Sequence, residues 1–142
     1  MTAWRWGIEQ AAGTMFVRFV IGRLDNDSGR RQGLFQAAKR LRESGALSQV
    51  DADHLEQISV WFNRNLERPS RLSLSPRPNS KAQALSWFKP TAKEHIAKMR
   101  EYAEILERYG LRVEMIKAKR LGYVLYEDDF QVAACPFSDT PT

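Results

Sequence analysis

Few residues in this chain have side chains that could carry out acid–base, nucleophilic or metal chemistry. The sequence holds two histidines, His54 and His95, and one cysteine, Cys135. None of them lies in the CxxC, HxxxH or HExxH spacing that is typical of metal sites. Cys135 with His95 is the one pairing of a nucleophile with a base, although a cysteine in a terminal strand more often packs as a small hydrophobic side chain. The sequence therefore predicts no metal site and no cofactor, and it assigns no catalytic residue.

Basic residues are concentrated in the middle of the chain. Residues 64–100 contain nine lysines and arginines against two acids, whereas residues 101–142 contain five against eight. Cations that neutralise phosphates, next to rings that stack on bases, are the basis of sequence-tolerant binding to single-stranded nucleic acid. No helix-turn-helix, zinc-finger or RNP pattern accompanies them. The candidate residues for binding an anion or a nucleic acid are Arg64, Arg68, Arg71, Arg77, Lys81, Lys89, Trp87 and His95.

Length and composition indicate an ordinary globular protein. The chain has 142 residues, 43% of them hydrophobic and 27% charged, which is enough to bury a core. Its single cysteine excludes an internal disulfide and fits a reducing compartment. The start of the chain lacks the apolar run of a signal peptide, and no stretch approaches the ~20 apolar residues of a membrane-spanning helix. These features predict a cytoplasmic protein without a membrane partner.

The elements that would position the candidate residues begin with a strand and continue with helices. Residues 15–24 are rich in β-branched and aromatic side chains on both faces, which is typical of a central strand. Apolar stripes at helical spacing predict helices over 30–44, 51–66, 81–88 and 91–110. We expect Asp51 or Asp53 to cap the second of these, Thr91 and Glu94 to form a capping box, and Gly45 and Gly110 to end helices.

The end of the chain has the alternation of strands, over 111–119, 123–126 and 130–135. The predicted fold class is therefore α+β. We expect an antiparallel sheet of about four strands, namely one N-terminal strand plus a C-terminal three-stranded meander, with three or four helices packed on one face. Phe16, Tyr123 or Tyr126 would lie on the open face of that sheet. An exposed aromatic patch of this kind often marks a dimer interface, so a homodimer is a candidate assembly.

The domain plan has three parts. Residues 1–14 are predicted to be an N-terminal extension, 15–137 a single α+β domain and 138–142 a disordered tail. Residues 67–80 contain three prolines and four serines and are predicted to form the longest loop. Loops of this length are uncommon in compact domains and are often functional. The loop lies within the basic segment, which makes this region the first place to look for a functional surface.

Two short stretches echo each other, Ser59–Asn63 (SVWFN) and Leu85–Lys89 (LSWFK). Both are predicted to lie late in helices. Because the flanking residues do not match, a chance recurrence of a core-anchoring Trp-Phe pair is favoured over a duplication.

Four stretches together resemble a group of short bacterial proteins usually labelled hypothetical: LFQAAKRLRESG, VWFNRNLERPSR, ALSWFKPTAKEHIAKMREYAEILERYG and GYVLYEDDFQVAACPF. The resemblance spans about residues 15–137 and leaves the first fourteen as an addition. It implies a bacterial, single-domain protein, and it transfers no activity, cofactor or catalytic residue.

Three hypotheses for function remain open. The first is a non-catalytic protein-interaction module that associates with itself. The second is nucleic-acid binding through the basic segment 64–100. The third is a small enzyme with an anion-binding site near the 67–80 loop, in which Arg68, Arg71 and His95 bind the anion or exchange protons.

Overall fold

The computed structural model of the chain describes residues 15–24, 31–67 and 84–142. These residues form six strands and three helices. In chain order they are β1 (Phe16–Leu24), β2 (Arg31–Gly33), α1 (Leu34–Ser44), α2 (Gln49–Asn65), β3 (Leu85–Phe88), α3 (Lys93–Glu107), β4 (Val113–Ala118), β5 (Tyr123–Glu127) and β6 (Gln131–Cys135). Within these ranges, every helix is too short or too polar to cross a bilayer.

The strands form one sheet in the order β2-β1-β3-β6-β5, with β4 paired to β1 outside this path. The pairings along the path are antiparallel. The predicted α+β class is therefore confirmed, with six described strands where about four were expected. The predicted C-terminal three-stranded meander is wrong for the described strands, because β4 pairs with β1, and of the three C-terminal strands only β5 and β6 form a hairpin. The two strands that the sequence pattern does not predict are β2, which has three residues, and β3, which has four.

The described residues divide into two compact units. The first, called here the strand unit, contains residues 15–18, 84–93 and 116–141. The second, called here the helical unit, contains residues 19–24, 31–67, 94–115 and 142. Residues of β1 and of β4 belong to both units, because the boundary falls within each of these strands. The single domain over 15–137 stays a prediction.

The core of the strand unit is built around Trp87. Its side chain is 1% exposed and packs with four further buried residues, Ala118, Leu121, Val132 and Ala134. In the β3–β6 ladder Trp87 lies opposite Val132. All five residues of β6 are buried, as expected for a strand that is flanked on both sides and covered on both faces.

Gly122 directly precedes β5, and its backbone lies very close to the backbone of Cys135 and Pro136 at the end of β6. Its φ is +118°, and a Cβ at this position would overlap the carbonyl oxygen of Cys135 and lie 2.8 Å from the Cα of Pro136. Glycine is required here for two reasons: it adopts positive φ without strain, and it has no Cβ to overlap the neighbouring backbone. The interval between the predicted strands 111–119 and 123–126 therefore contains a close contact between the backbone of Gly122 and the end of β6.

The helical unit buries large side chains from all three helices. Leu55, Ile58 and Phe62 of α2 are buried, as are Tyr102 and Leu106 of α3. On α1, Leu34 is buried, while Phe35 is 43% exposed and its ring lies 4.8 Å from the Tyr102 ring and 5.5 Å from the Phe62 ring. The spacing of three or four residues between buried positions matches the predicted apolar stripes.

The helix ends agree with the sequence predictions in part. Gly45 ends α1 in the left-handed conformation with φ 78°, and Gly110 follows α3 with φ 84°. The predicted cap of α2 is wrong, because the N-cap is Ser48 and not Asp51 or Asp53. The Ser48 hydroxyl accepts a hydrogen bond from the backbone N–H of Asp51. The last helix begins at Lys93 rather than at Thr91.

The predicted helix over 81–88 is wrong for its described part. Residues 85–88 form β3, which pairs with β6 from Leu85 opposite Ala134 to Phe88 opposite Gln131. Such a short apolar run has no distinguishing period, so its conformation is decided by the strands available for pairing. Residues 81–83 lie outside the described residues.

Three further sequence predictions concern the two ends of the chain and the long loop. The extension 1–14 and residues 68–80 of the predicted loop lie outside the described residues. Where a disordered tail was expected over 138–142, Thr140 is buried, and its hydroxyl accepts a hydrogen bond from the Phe137 N–H. The Thr140 N–H in turn donates to the Phe137 carbonyl. These bonds close a turn after β6.

Candidate functional site

The predicted basic residues fall into different environments. Arg64 is exposed on the last turn of α2. Lys89 is three-quarters buried and its ammonium group lies 2.7 Å from a carboxylate oxygen of Glu127. The other four predicted cations, Arg68, Arg71, Arg77 and Lys81, lie outside the described residues. Among the described members of the set, Arg64 is the one whose charge faces solvent.

Trp87, which the sequence offers as a ring for stacking on bases, is a core residue. It is 1% exposed, inside the cluster of the strand unit. Its indole Nε1 is buried and has no hydrogen-bond partner among the described residues. Because an aromatic ring must present a face to solvent to stack on a base, packing explains the position of Trp87.

His95, the predicted anion-binding or acid–base residue, is buried at the start of α3. It is 4% exposed, and its Nε2 lies 2.7 Å from the carbonyl oxygen of Asn65. Its ring is 4.9 Å from the Trp61 ring and 6.1 Å from the Phe62 ring. An N–H on Nε2 would satisfy one of the last carbonyls of α2, which have no partner within their own helix. His95 therefore joins two helices of the helical unit.

One aromatic–cation contact near His95 lies outside the predicted residue set. The Nζ of Lys98 lies 5.7 Å from the centre of the Trp61 ring, within the range of a cation–π interaction. Both side chains are partly exposed. Trp61 belongs to the SVWFN stretch of the sequence, and no sequence pattern singles out Lys98.

The most accessible apolar residues of the strand unit lie on β5. Tyr123 is 45% and Val124 52% exposed, whereas the next residue, Leu125, is 3% exposed. Neighbouring residues of a strand point to opposite faces, so the exposure of both Tyr123 and Val124 means that the start of β5 is accessible on both faces. A partner at this point would contact the edge of the sheet.

β5 ends the strand order of the sheet and, in the described part of the chain, pairs with β6 alone. An unpaired strand edge presents backbone N–H and C=O groups that can bind a further strand. The register of β5 on β6 shifts between Val124 and Tyr126, which leaves Leu125 as the extra residue of a β-bulge. A bulge bends the edge and shortens the regular ladder that a further strand could form.

Charges of opposite sign flank β5. Lys119 and Arg120 precede the strand, and both are exposed. Arg120 lies 4.7 Å from the ring centre of Phe137 and 3.5 Å from a carboxylate oxygen of Asp139. At the other end, Glu127 is followed by Asp128 and by the exposed Asp129. Basic residues therefore precede β5 in the chain, and acidic residues follow it.

Asp128 organises the turn from β5 to β6. Its carboxylate accepts hydrogen bonds from the Tyr126 hydroxyl at 2.8 Å, from the backbone N–H groups of Phe130 and Gln131 at 2.8 and 3.0 Å, and from the Gln131 side chain at 3.1 Å. Burial raises the pKa of Asp128, but these hydrogen bonds outweigh it and hold the pKa below its ordinary value. The Asp128 carboxylate thus fixes the conformation of the acidic turn between the end of β5 and the start of β6.

Across the described ranges, no three histidine, cysteine, aspartate or glutamate side chains come together as a metal site would require. Cys135 is buried in β6 and forms no disulfide, since the sequence contains one cysteine. No family model matches the chain, and no curated protein or solved structure is significantly similar to it.

Proposed function

We propose that this protein is a non-catalytic interaction module that associates with itself through the edge of β5 that faces away from β6, its pairing partner in the described part of the chain. The observation that carries the proposal is the exposure of Tyr123 and Val124 next to each other on the strand that ends the sheet. Exposed apolar side chains on an unpaired edge favour the addition of another strand, because burial of the side chains then accompanies new backbone hydrogen bonds.

The measurement that tests this proposal is the mass of the full chain in solution as a function of concentration, by light scattering or sedimentation. We expect a dimer that dissociates on dilution. Val124→Lys should shift the chain towards the monomer, since a charge on an edge strand opposes pairing. A matched control is Val50→Lys, which changes a valine that is 78% exposed on α2.

The expected result is a dimer that Val124→Lys weakens and Val50→Lys leaves unchanged. A chain that stays monomeric at every accessible concentration contradicts the proposal. Equal effects of the two valine substitutions contradict the assignment of the contact to β5. Circular dichroism of both variants checks that each retains the native secondary structure.

A second candidate function is nucleic-acid binding through the basic segment 64–100. Its support is Arg64, which is exposed at the end of α2 and makes no ion pair with a described residue. Three further arginines, Arg68, Arg71 and Arg77, follow it in the sequence. Trp87 no longer contributes to this hypothesis, because its ring is buried.

Retention on immobilised single-stranded DNA or RNA at increasing salt tests this second candidate. Phosphate contacts predict retention that weakens as salt rises and that is lost when Arg68, Arg71 and Arg77 are all replaced by alanine. Absence of retention even at low salt excludes it.

A further inference from the structure

We propose that the contact on β5 is β5 of a second copy, aligned antiparallel around a two-fold axis near Val124. This inference rests on the proposed function and specifies the segment that the partner contributes. The alternative is contact between β5 and a different surface of the second copy. Such a contact is not self-complementary and generates rings or open chains, whereas a two-fold contact closes as a dimer.

The charges that flank β5 favour the antiparallel alignment. In an antiparallel register centred on Val124, the segment before β5 of one copy, which carries Lys119 and Arg120, lies at the same end of the strand pair as the segment after β5 of the other copy, which carries Asp128 and Asp129. A parallel alignment would place basic residues against basic residues and acids against acids. These four residues lie outside β5, so the interaction is between the segments that flank the strand pair. Opposite charges attract and like charges repel at such distances, so the sign pattern favours the antiparallel direction.

Two of these residues are particularly suited to form pairs with a second copy. Lys119 and Asp129 are exposed, and neither forms an ion pair with any described residue of its own chain. Arg120 and Asp128 already have partners, in Asp139 and in the β5–β6 turn. Lys119 and Asp129 can therefore meet a partner's charge without giving up a contact that holds the fold.

The same register places Val124 next to its own counterpart on the symmetry axis. Val124 is the most exposed apolar residue of the strand unit. The bulge at Leu125 limits the regular ladder to a few residues. The apolar contact at the centre and the charge pairs at both ends must therefore contribute much of the affinity, which makes the association sensitive to salt.

Charge reversal in the full chain tests the alignment. Lys119→Glu and Asp129→Lys should each weaken the dimer by about tenfold, because each substitution turns two attractive pairs per dimer into repulsive ones. A mixture of the two variants should associate more tightly than either variant alone, because every introduced charge then faces a charge of opposite sign. Lys39→Glu, at an exposed lysine of α1, is the control for a change in net charge.

The outcomes separate this inference from the proposed function. Preferential association of Lys119→Glu with Asp129→Lys supports the antiparallel alignment. A dimer that Val124→Lys disrupts, but that responds to neither charge reversal, overturns the alignment and leaves association through β5 intact. A chain that is monomeric throughout overturns both.

Discussion

The two Trp-Phe pairs of the chain have opposite arrangements in the two units. In the helical unit, Phe62 is buried and Trp61 is partly exposed beneath Lys98. In the strand unit, Trp87 is buried and Phe88 is partly exposed. Adjacent residues point in different directions on both a helix and a strand, so one ring of each pair enters the core. The comparison shows that the element and its neighbours, not the dipeptide, decide which ring is buried.

The units also differ in where their exposed large apolar side chains lie. In the helical unit the exposed large apolar residues are Phe35, whose ring packs against two others, and Val50 at the start of α2. In the strand unit Tyr123 and Val124 are adjacent at a strand edge. The exposed apolar side chains of β5 are therefore neighbours on one strand, whereas those of the helical unit are separated along the chain.

The largest difference between the units is expected at their glycines. Gly122→Ala should destabilise the protein by about 4 kcal/mol or more, because the new Cβ overlaps the backbone at Cys135 and Pro136. Gly45→Ala is the matched control, since Gly45 has φ +78° and open space around a Cβ. It should cost about 1 kcal/mol, the cost of the left-handed conformation alone. Urea unfolding measures both. Similar costs for the two would contradict the close crossing at Gly122.

The two tryptophans provide the next comparison. Trp87→Ala should cost about 3–5 kcal/mol in free energy of unfolding, since it removes a fully buried side chain from the centre of a cluster. Trp61→Ala should cost distinctly less, because Trp61 is partly exposed. Denaturant titrations followed by circular dichroism compare the two directly. An equal or larger loss for Trp61 would show that the core of the strand unit does not depend on Trp87.

The smallest expected effect concerns the acidic turn. Asp128→Asn should cost about 1 kcal/mol at neutral pH, because an amide has one acceptor oxygen where the carboxylate has two. The folded-state pKa of Asp128 lies below its ordinary value of 3.8, so the carboxylate stabilises the fold above that pH. This contribution is lost as the pH falls through the folded-state pKa.

Thermal unfolding of the wild type and the variant across acidic pH tests this sign. The difference between them should be largest near neutral pH and should shrink on acidification. Asp53→Asn, at an exposed aspartate whose carboxylate accepts from Gln49, is the control in the helical unit. A difference that grows as the pH falls would contradict the hydrogen-bonded turn.

Local sequence signals predicted the parts of the fold that depend on near neighbours. The apolar stripe of α2, the strand over 15–24 and the left-handed Gly45 follow from periodicity and backbone preference. The conformation of Leu85–Phe88 could not be predicted in this way, because its pairing partner β6 lies more than forty residues further along the chain. The position of Ser48 as the cap of α2 also depended on a choice between neighbouring polar residues.

Some features of the candidate site could likewise be predicted from the sequence, and others could not. The acidic turn after β5 could be predicted from the sequence, as could the exposure of Tyr123 near a sheet surface. That His95 reaches the carbonyl of Asn65, and that Lys89 reaches Glu127, depends on residues 30 and 38 positions apart. Which residues of a sheet lie at its edge depends on strand order, and strand order cannot be derived from the pattern of one chain.

The single cysteine of the chain has a practical consequence. Cys135 is completely buried in β6, with the backbone at Gly122 lying across its carbonyl group. A thiol reagent can therefore modify it only after this strand has opened, so the labelling rate measures the frequency of that opening. If association at the edge of β5 stabilises the neighbouring strand, labelling of Cys135 will slow as protein concentration rises. A native residue thus reports the link between assembly and local opening without an added probe.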